Sequence, residues 1–215
     1  MNRKMKKILF FAMILLATSL SATAQTASEV RKNASEARKI LDKTASVVSR
    51  KGGASASFKI SSPNIGSTKG TIAIKGKKFH ARTPQAIVWF DGKTQWSYMK
   101  STEEVNVFTP TEAQQMAMNP YQFINLYKHG YSLSTTGNDR NFYNVHLVAQ
   151  TKARSAQELF IKINKKTYTP TQVKMREGAT WTTIDITGFQ AKDQSDATFV
   201  FNAKDFPKAE IIDLR

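Results

Sequence analysis

The chain has 215 residues, no cysteine, and 32 basic against 16 acidic side chains, for a formal charge of +16. Hydrophobic residues make up 40% and charged residues 22%, which fits one globular domain and excludes a disordered or collagenous chain. The lack of cysteine excludes disulfide staples, thiol catalysis, iron–sulfur clusters, cysteine zinc sites and acylation of a cysteine of this chain.

Residues 1–24 read as a secretory signal peptide. Arg3, Lys4, Lys6 and Lys7 make a positive start, Ile8–Leu16 is an unbroken apolar run, and Ala22-Thr23-Ala24 before Gln25 is an A-x-A cleavage site. A run of nine residues is short of the ~20 needed to cross a bilayer. Cleavage lowers the charge from +16 to +12 and leaves a soluble product, residues 25–215, in the periplasm. There a basic surface points to anionic head groups, acidic partners or solubility, and not to nucleic acid. Lys69, Lys75, Lys77, Lys78 and Lys93 are scattered through strand-like segments, the pattern of solvated outward faces.

Ser28–Val48 reads as an amphipathic helix. Val30, Ala34, Ala37, Leu41, Thr44 and Val48 recur at steps of three and four, and Gly52-Gly53 ends the pattern. The period then becomes two. Ala56, Phe58 and Ile60 alternate with polar residues, and so do Ile72 and Ile74. In Ala86–Tyr98, Asp91-Gly92 predicts a two-residue hairpin turn. That register pairs Phe90 with Lys93 and Ile87 with Trp96, and places Ile87, Trp89, Trp96 and Tyr98 on one face. Glu103–Phe108, with Val105 and Val107, is the next strand. Thr111–Met118 and Tyr121–His129 read as helical, with Met116, Phe123, Ile124 and Tyr127 on an apolar side. Further strands are expected at 131–135, 142–149, 158–163, 171–176, 179–187, 198–202 and 210–214.

The expected fold is mainly β: an unclosed antiparallel β half-barrel of about eleven strands, covered by two or three helices. Such a sheet encloses more room than its own side chains fill, since ~8 strands is near the filled limit. The hollow suits acyl chains, because each CH₂ removed from water contributes ~0.8 kcal/mol without any directional bond. Two readings of the aromatic hairpin face stand side by side: cavity lining, or ordinary core under the helices. Phe123, Ile124 and Tyr127 are likewise lid contacts or core, and Met116 suits an adaptable lining. His80, His129 and His146 lack metal-ligand spacing, and no nucleophile motif is present, so neither a metal, a cofactor nor catalysis is expected.

The chain resembles the periplasmic outer-membrane lipoprotein carriers, the LolA family. The resemblance lies in Gly70–Lys75 with Phe79–Arg82, in Asp91-Gly-Lys-Thr-Gln-Trp-Ser-Tyr98, in Glu103–Val107, and in Thr198–Asn202 with Ile211–Arg215. It implies a monomeric half-barrel with a helical lid. The acyl chains of lipoproteins would be received from an inner-membrane ATPase complex and passed to an outer-membrane acceptor. The cavity-lining residues it implies are Phe58, Ile72, Ile74, Phe79, Ile87, Trp89, Trp96, Tyr98, Val107, Met116, Phe123, Ile124 and Tyr127. Where the family has an Arg-Pro whose arginine latches the lid, this chain has Gly76-Lys77. The alternatives are an envelope module that senses lipids or lipoproteins, a carrier of a glycolipid or fatty acid, and a docking domain with a filled core.

Overall fold

The structure, a computed structural model, describes residues 3–64, 66–111, 126–137 and 139–215, with side chains from residue 26 onward. A single helix, α1 (Arg3–Val48), opens the chain. The helix expected to start at Ser28 is therefore continuous with the leader, which has no helix-breaking Gly or Pro. Ala37, Ile40, Leu41, Thr44 and Val48 form its buried stripe, whereas Val30, the first member of the expected stripe, is 69% exposed. Among the described residues no helix is long and apolar enough to cross a membrane.

Twelve strands follow among the described residues. The first six are β1 (Ala54–Ser62), β2 (Gly66–Lys75), β3 (Lys78–Arg82), β4 (Ala86–Phe90), β5 (Gln95–Met99) and β6 (Glu104–Phe108). The rest are β7 (Tyr131–Thr135), β8 (Phe142–Ala149), β9 (Glu158–Asn164), β10 (Pro170–Glu177), β11 (Thr180–Gln190) and β12 (Glu210–Asp213). They build one open sheet in the order β12-β6-β5-β4-β3-β2-β1-β11-β10-β9-β8-β7. Two antiparallel meanders, β1–β6 and β7–β11, are joined where β1 pairs with β11. The open, mainly antiparallel half-barrel is as expected. One pair departs from it: β12 returns parallel to β6 and becomes the edge.

Two local expectations are corrected. The hairpin between β4 and β5 pairs Phe90 with Gln95, Trp89 with Trp96 and Ile87 with Tyr98. Its loop is thus Asp91–Thr94, two residues longer than a tight turn. Asp91 does not take a positive φ; its carboxylate accepts from the amides of Lys93 (2.8 Å) and Thr94 (2.7 Å) and rounds the corner by itself. A register shift of two leaves every side chain on its expected face. Tight two-residue turns lie instead at Gly76-Lys77, between Lys75 and Lys78, and at Gly178-Ala179, between Glu177 and Thr180, with φ +59° at Gly76 and +58° at Gly178. Thr198–Asn202 is not a strand: short 3₁₀ turns occupy Asp196–Phe199 and Ala203–Asp205. Of the helical stretches expected at 111–118 and 121–129, residues 112–125 lie outside the described residues, and of 126–129 only Leu126 is helical.

The helix α1 packs chiefly along the edge strand β7. Asn33 imitates the neighbour that β7 lacks. Its Oδ1 accepts from the Thr135 amide (2.5 Å) and hydroxyl (3.2 Å), and its Nδ2 donates to the Thr135 carbonyl (3.3 Å). The edge is thereby closed to another strand. Replacing Asn33 by Ala should lower stability by about 1–2 kcal/mol. It should also speed exchange of the Thr135 amide; unchanged exchange would show that Asn33 is not the edge partner.

Candidate functional site

Strand alternation sorts the apolar residues onto two faces. On the face that bears α1, Phe58 and Ala56 on β1 are followed by Ile72 and Ile74 on β2, Phe79 on β3 and Phe90 on β4. On the other side of β1 the same face continues through Ile186 and Ile184, Val173, Ile161, Val145 and Leu133 to β7. It spans nine strands. The Phe58 ring lies across Gly70, where a Cβ would come within 2.5 Å of it. Beyond β4 this face turns polar, with Gln95 and Ser97 on β5 and Asn106 on β6.

The far face is apolar where the helix face is not. Ile87 and Trp89 on β4, Trp96 and Tyr98 on β5, and Val105 and Val107 on β6 stand together there. The apolar surface therefore changes sides at β4, which is buried on both faces: Ile87, Trp89 and Phe90 are all at most 8% exposed. Trp89 and Phe90 are neighbours in the chain but belong to different clusters. Phe90 meets Phe79 at 5.5 Å between ring centroids, while Trp89 stacks on His80 at 5.5 Å.

The C-terminal segment covers this far-face patch. Phe201 and Phe206 meet Trp89 edge-on at 5.4 Å each, and Phe206 lies 4.7 Å from Tyr98. Phe199 is fully buried. Asp196 anchors the segment to Lys78 (2.9 Å) and Lys75 (3.2 Å), and Lys75 also donates to the Gln194 carbonyl at 3.1 Å. The lysines flanking Gly76-Lys77 thus hold the C-terminal segment. The sequence pattern missed Phe199, Phe201 and Phe206 as a unit, although three Phe within eight residues signal a segment that must be buried.

The residues expected to line one cavity are consequently split. Phe58, Ile72, Ile74 and Phe79 share the helix face. Ile87, Trp89, Trp96, Tyr98 and Val107 share the far face, where the C-terminal segment packs on Trp89 and Tyr98. Tyr127 is buried with the helix-face cluster, and its hydroxyl donates to Asp42 of α1 at 2.5 Å. Burial and the Asp42 carboxylate push its phenol well above the ordinary range. Met116, Phe123 and Ile124 lie outside the described residues.

The sequence profile described as "Outer membrane lipoprotein carrier protein LolA" matches residues 24–179. The chain belongs to that family. An uncharacterized conserved protein from Thermus thermophilus shares its fold, with a TM-score of 0.58 at 11% identity, over 83% of this chain and 99% of that one. A LolA superfamily protein from Nitrosomonas europaea gives a TM-score of 0.44 at 11% identity, over 77% and 97% of the two chains. LprF from Mycobacterium bovis gives 0.46 at 10%, over 74% and 95%. None of the curated proteins matches. In this family member the resemblance read from the sequence holds, with the far-face aromatic cluster placed away from α1.

Two groups set its pH response. Glu158 accepts from His146 (2.9 Å) and Arg176 (3.0 Å), and these bonds hold its carboxyl below the usual range. His80 on β3 stacks beside its cross-strand partner Trp89, where burial, then the Arg82 charge, lowers it from 6.5 to about 4. The fold therefore prefers neutral His80. The unfolded chain takes up the proton first as pH falls, so this contribution is full above 6.5 and lost as pH drops toward about 4. The thermal midpoint should decline through that window, and His80→Gln should flatten the decline; an equally steep variant would free His80 of the role. Separately, Phe206→Ala should cost about 2 kcal/mol and shift tryptophan emission to the red as Trp89 is uncovered. Unaltered emission would mean that the C-terminal segment does not cover the cluster.

Proposed function

We propose that this protein is a periplasmic carrier that shelters the acyl chains of lipoproteins against its helix face and moves them between the two membranes. It is a binding protein in this reading, not an enzyme. The observation that carries it is a mismatch of areas within a LolA family chain. The apolar helix face spans nine strands and is buried throughout, whereas the α1 backbone comes close chiefly to β7 and β8. A face so much wider than its helix is suited to a partner that needs only apolar contact. A chain of a dozen methylenes would gain roughly 10 kcal/mol from such contact before the losses of immobilisation.

The sheltering surface in this proposal is Phe58, Ile72, Ile74 and Phe79, with Tyr127 at its margin. Met116, Phe123 and Ile124 belong to the lid by family resemblance. The acyl role is not extended to Ile87, Trp89, Trp96, Tyr98 and Val107, because they stand on the opposite face of the sheet, where the C-terminal segment packs on Trp89 and Tyr98. In this proposal residues 1–24 are an export signal and 25–215 one carrier domain, of which the family profile covers the part up to residue 179. Loading by an inner-membrane ATPase complex and unloading to an outer-membrane acceptor follow the family pattern.

Mass spectrometry of the protein purified from its own envelope should find acylated cargo. A sharper test enlarges Ala81, which lies on the helix face between Ile72 and Val88. In a hollow interior, Ala81→Phe keeps the thermal midpoint and lowers uptake of an apolar fluorescent probe. In a solid interior the same change costs ~1–3 kcal/mol through overpacking. Lost stability with no probe uptake by either protein would overturn the carrier proposal.

A further inference from the structure

An open groove of ≈ 600 Å³ lies over β1, β2, β3 and β11 on the far face, opposite the proposed acyl surface. Its lining forms two rows across directly paired strands. One row runs Asp185–Lys59–Lys69, and the next runs Thr187–Ser57–Thr71–Arg82. Lys59 and Lys69 stand directly opposite each other, an arrangement that destabilises a sheet unless an anion lies between the charges. Neither lysine, nor Arg82, has an ion-pair partner among the described residues. The single carboxylate of the groove, Asp185, accepts a hydrogen bond from Gln172 at 2.8 Å. Three cations against one anion leave the groove positive, and the hydroxyls of Ser57, Thr71 and Thr187 add neutral donors beside them.

We propose that this groove binds a phosphate ester, the head group of an anionic lipid or a soluble organic phosphate, through Lys59, Lys69 and Arg82. Oxygen-rich anions are the ligands that clustered ammonium, guanidinium and hydroxyl donors recognise together. The groove is larger than a bare phosphate requires and falls within the ~300–1,000 Å³ of small-molecule sites, which leaves room for the ester substituent. The site does not depend on the acyl reading, since it occupies the other face of the sheet.

The test compares the full chain with two double variants that make the same change in charge. Lys59→Glu/Lys69→Glu alters the groove; Lys152→Glu/Lys208→Glu alters exposed lysines elsewhere. Binding is measured to vesicles of phosphatidylglycerol with phosphatidylcholine, to phosphatidylcholine alone, and to glycerol 3-phosphate in solution. The groove variant should lose roughly tenfold or more in affinity for the phosphatidylglycerol vesicles, and the control variant far less. Glycerol 3-phosphate binding with the same dependence, in the absence of vesicle binding, would identify a soluble ester as the ligand. Equal losses in both variants would mean diffuse charge and would overturn the proposal, as would no binding to any phosphate probe. Should the groove variant fold poorly, Lys69→Gln carries the same expectation, with a thermal midpoint equal to or above that of the parent. Uptake of the apolar probe should be unchanged throughout, so failure here leaves the carrier reading untouched.

Discussion

The pairing of β1 with β11 is the join on which the architecture depends. It ties residues 54–62 to residues 180–190 and fuses a six-strand unit and a five-strand unit into one sheet. Without it each meander would expose a long unpaired edge. With it, β6 and β7 come to lie ten strand steps apart along the sheet, about 48 Å at ~4.8 Å per step. The chain must cover that separation between Phe108 and Tyr131. Curling of the sheet into an open half-barrel shortens that path by bringing its two ends toward each other.

Both faces of this sheet carry apolar surface, but not over the same strands. The helix face is apolar from β4 round to β7, and the far face chiefly over β4 to β6, with Phe160 on β9 and Trp181 on β11 as a second aromatic pair. Each needs its own cover. The far face has one built from its own chain: Phe199, Phe201 and Phe206, anchored by Asp196 to two lysines and followed by β12 on the edge of β6. The helix face has α1 along β7, fastened by Asn33, and Tyr127 bonded to Asp42. The far-face cover is an aromatic cluster in which Trp89 is buried and Trp96, Tyr98, Phe201 and Phe206 stay half-buried. The helix face is buried across its width, and the proposed acyl shelter is assigned to it.

Much of the fold was readable because strand periodicity is local. The bounds of Tyr131–Thr135 and Phe142–Ala149 agree with the alternation to the residue, and the neighbouring strands agree to within a few residues. The Ile87, Trp89, Trp96, Tyr98 face also follows from alternation, and it survived a register error of two because side chains repeat every two residues. The error came from Asp91. Its carboxylate can cap two amides, so the Asp-Gly pair does not need positive φ at both positions. Thr198–Asn202 misled for a related reason: Phe199 and Phe201 alternate like a strand, but Phe199 is buried and Phe201 packs on Trp89 without either pairing in the sheet.

Residue order by itself determined the β class, the positions of the turns, the buried stripe from Ala37 to Val48 and the kinship with lipoprotein carriers. These depend on neighbours within a few residues, or on motifs that stand in a fixed order. Only the tertiary structure decided which side of the sheet each apolar set would occupy relative to α1. It alone revealed that the C-terminal phenylalanines close over Trp89, and that Lys59, Lys69 and Arg82 meet in one groove. Those outcomes depend on pairings between distant parts of the chain, such as Ser55 with Gln190, and alternation carries no information about which face of one strand adjoins which face of another.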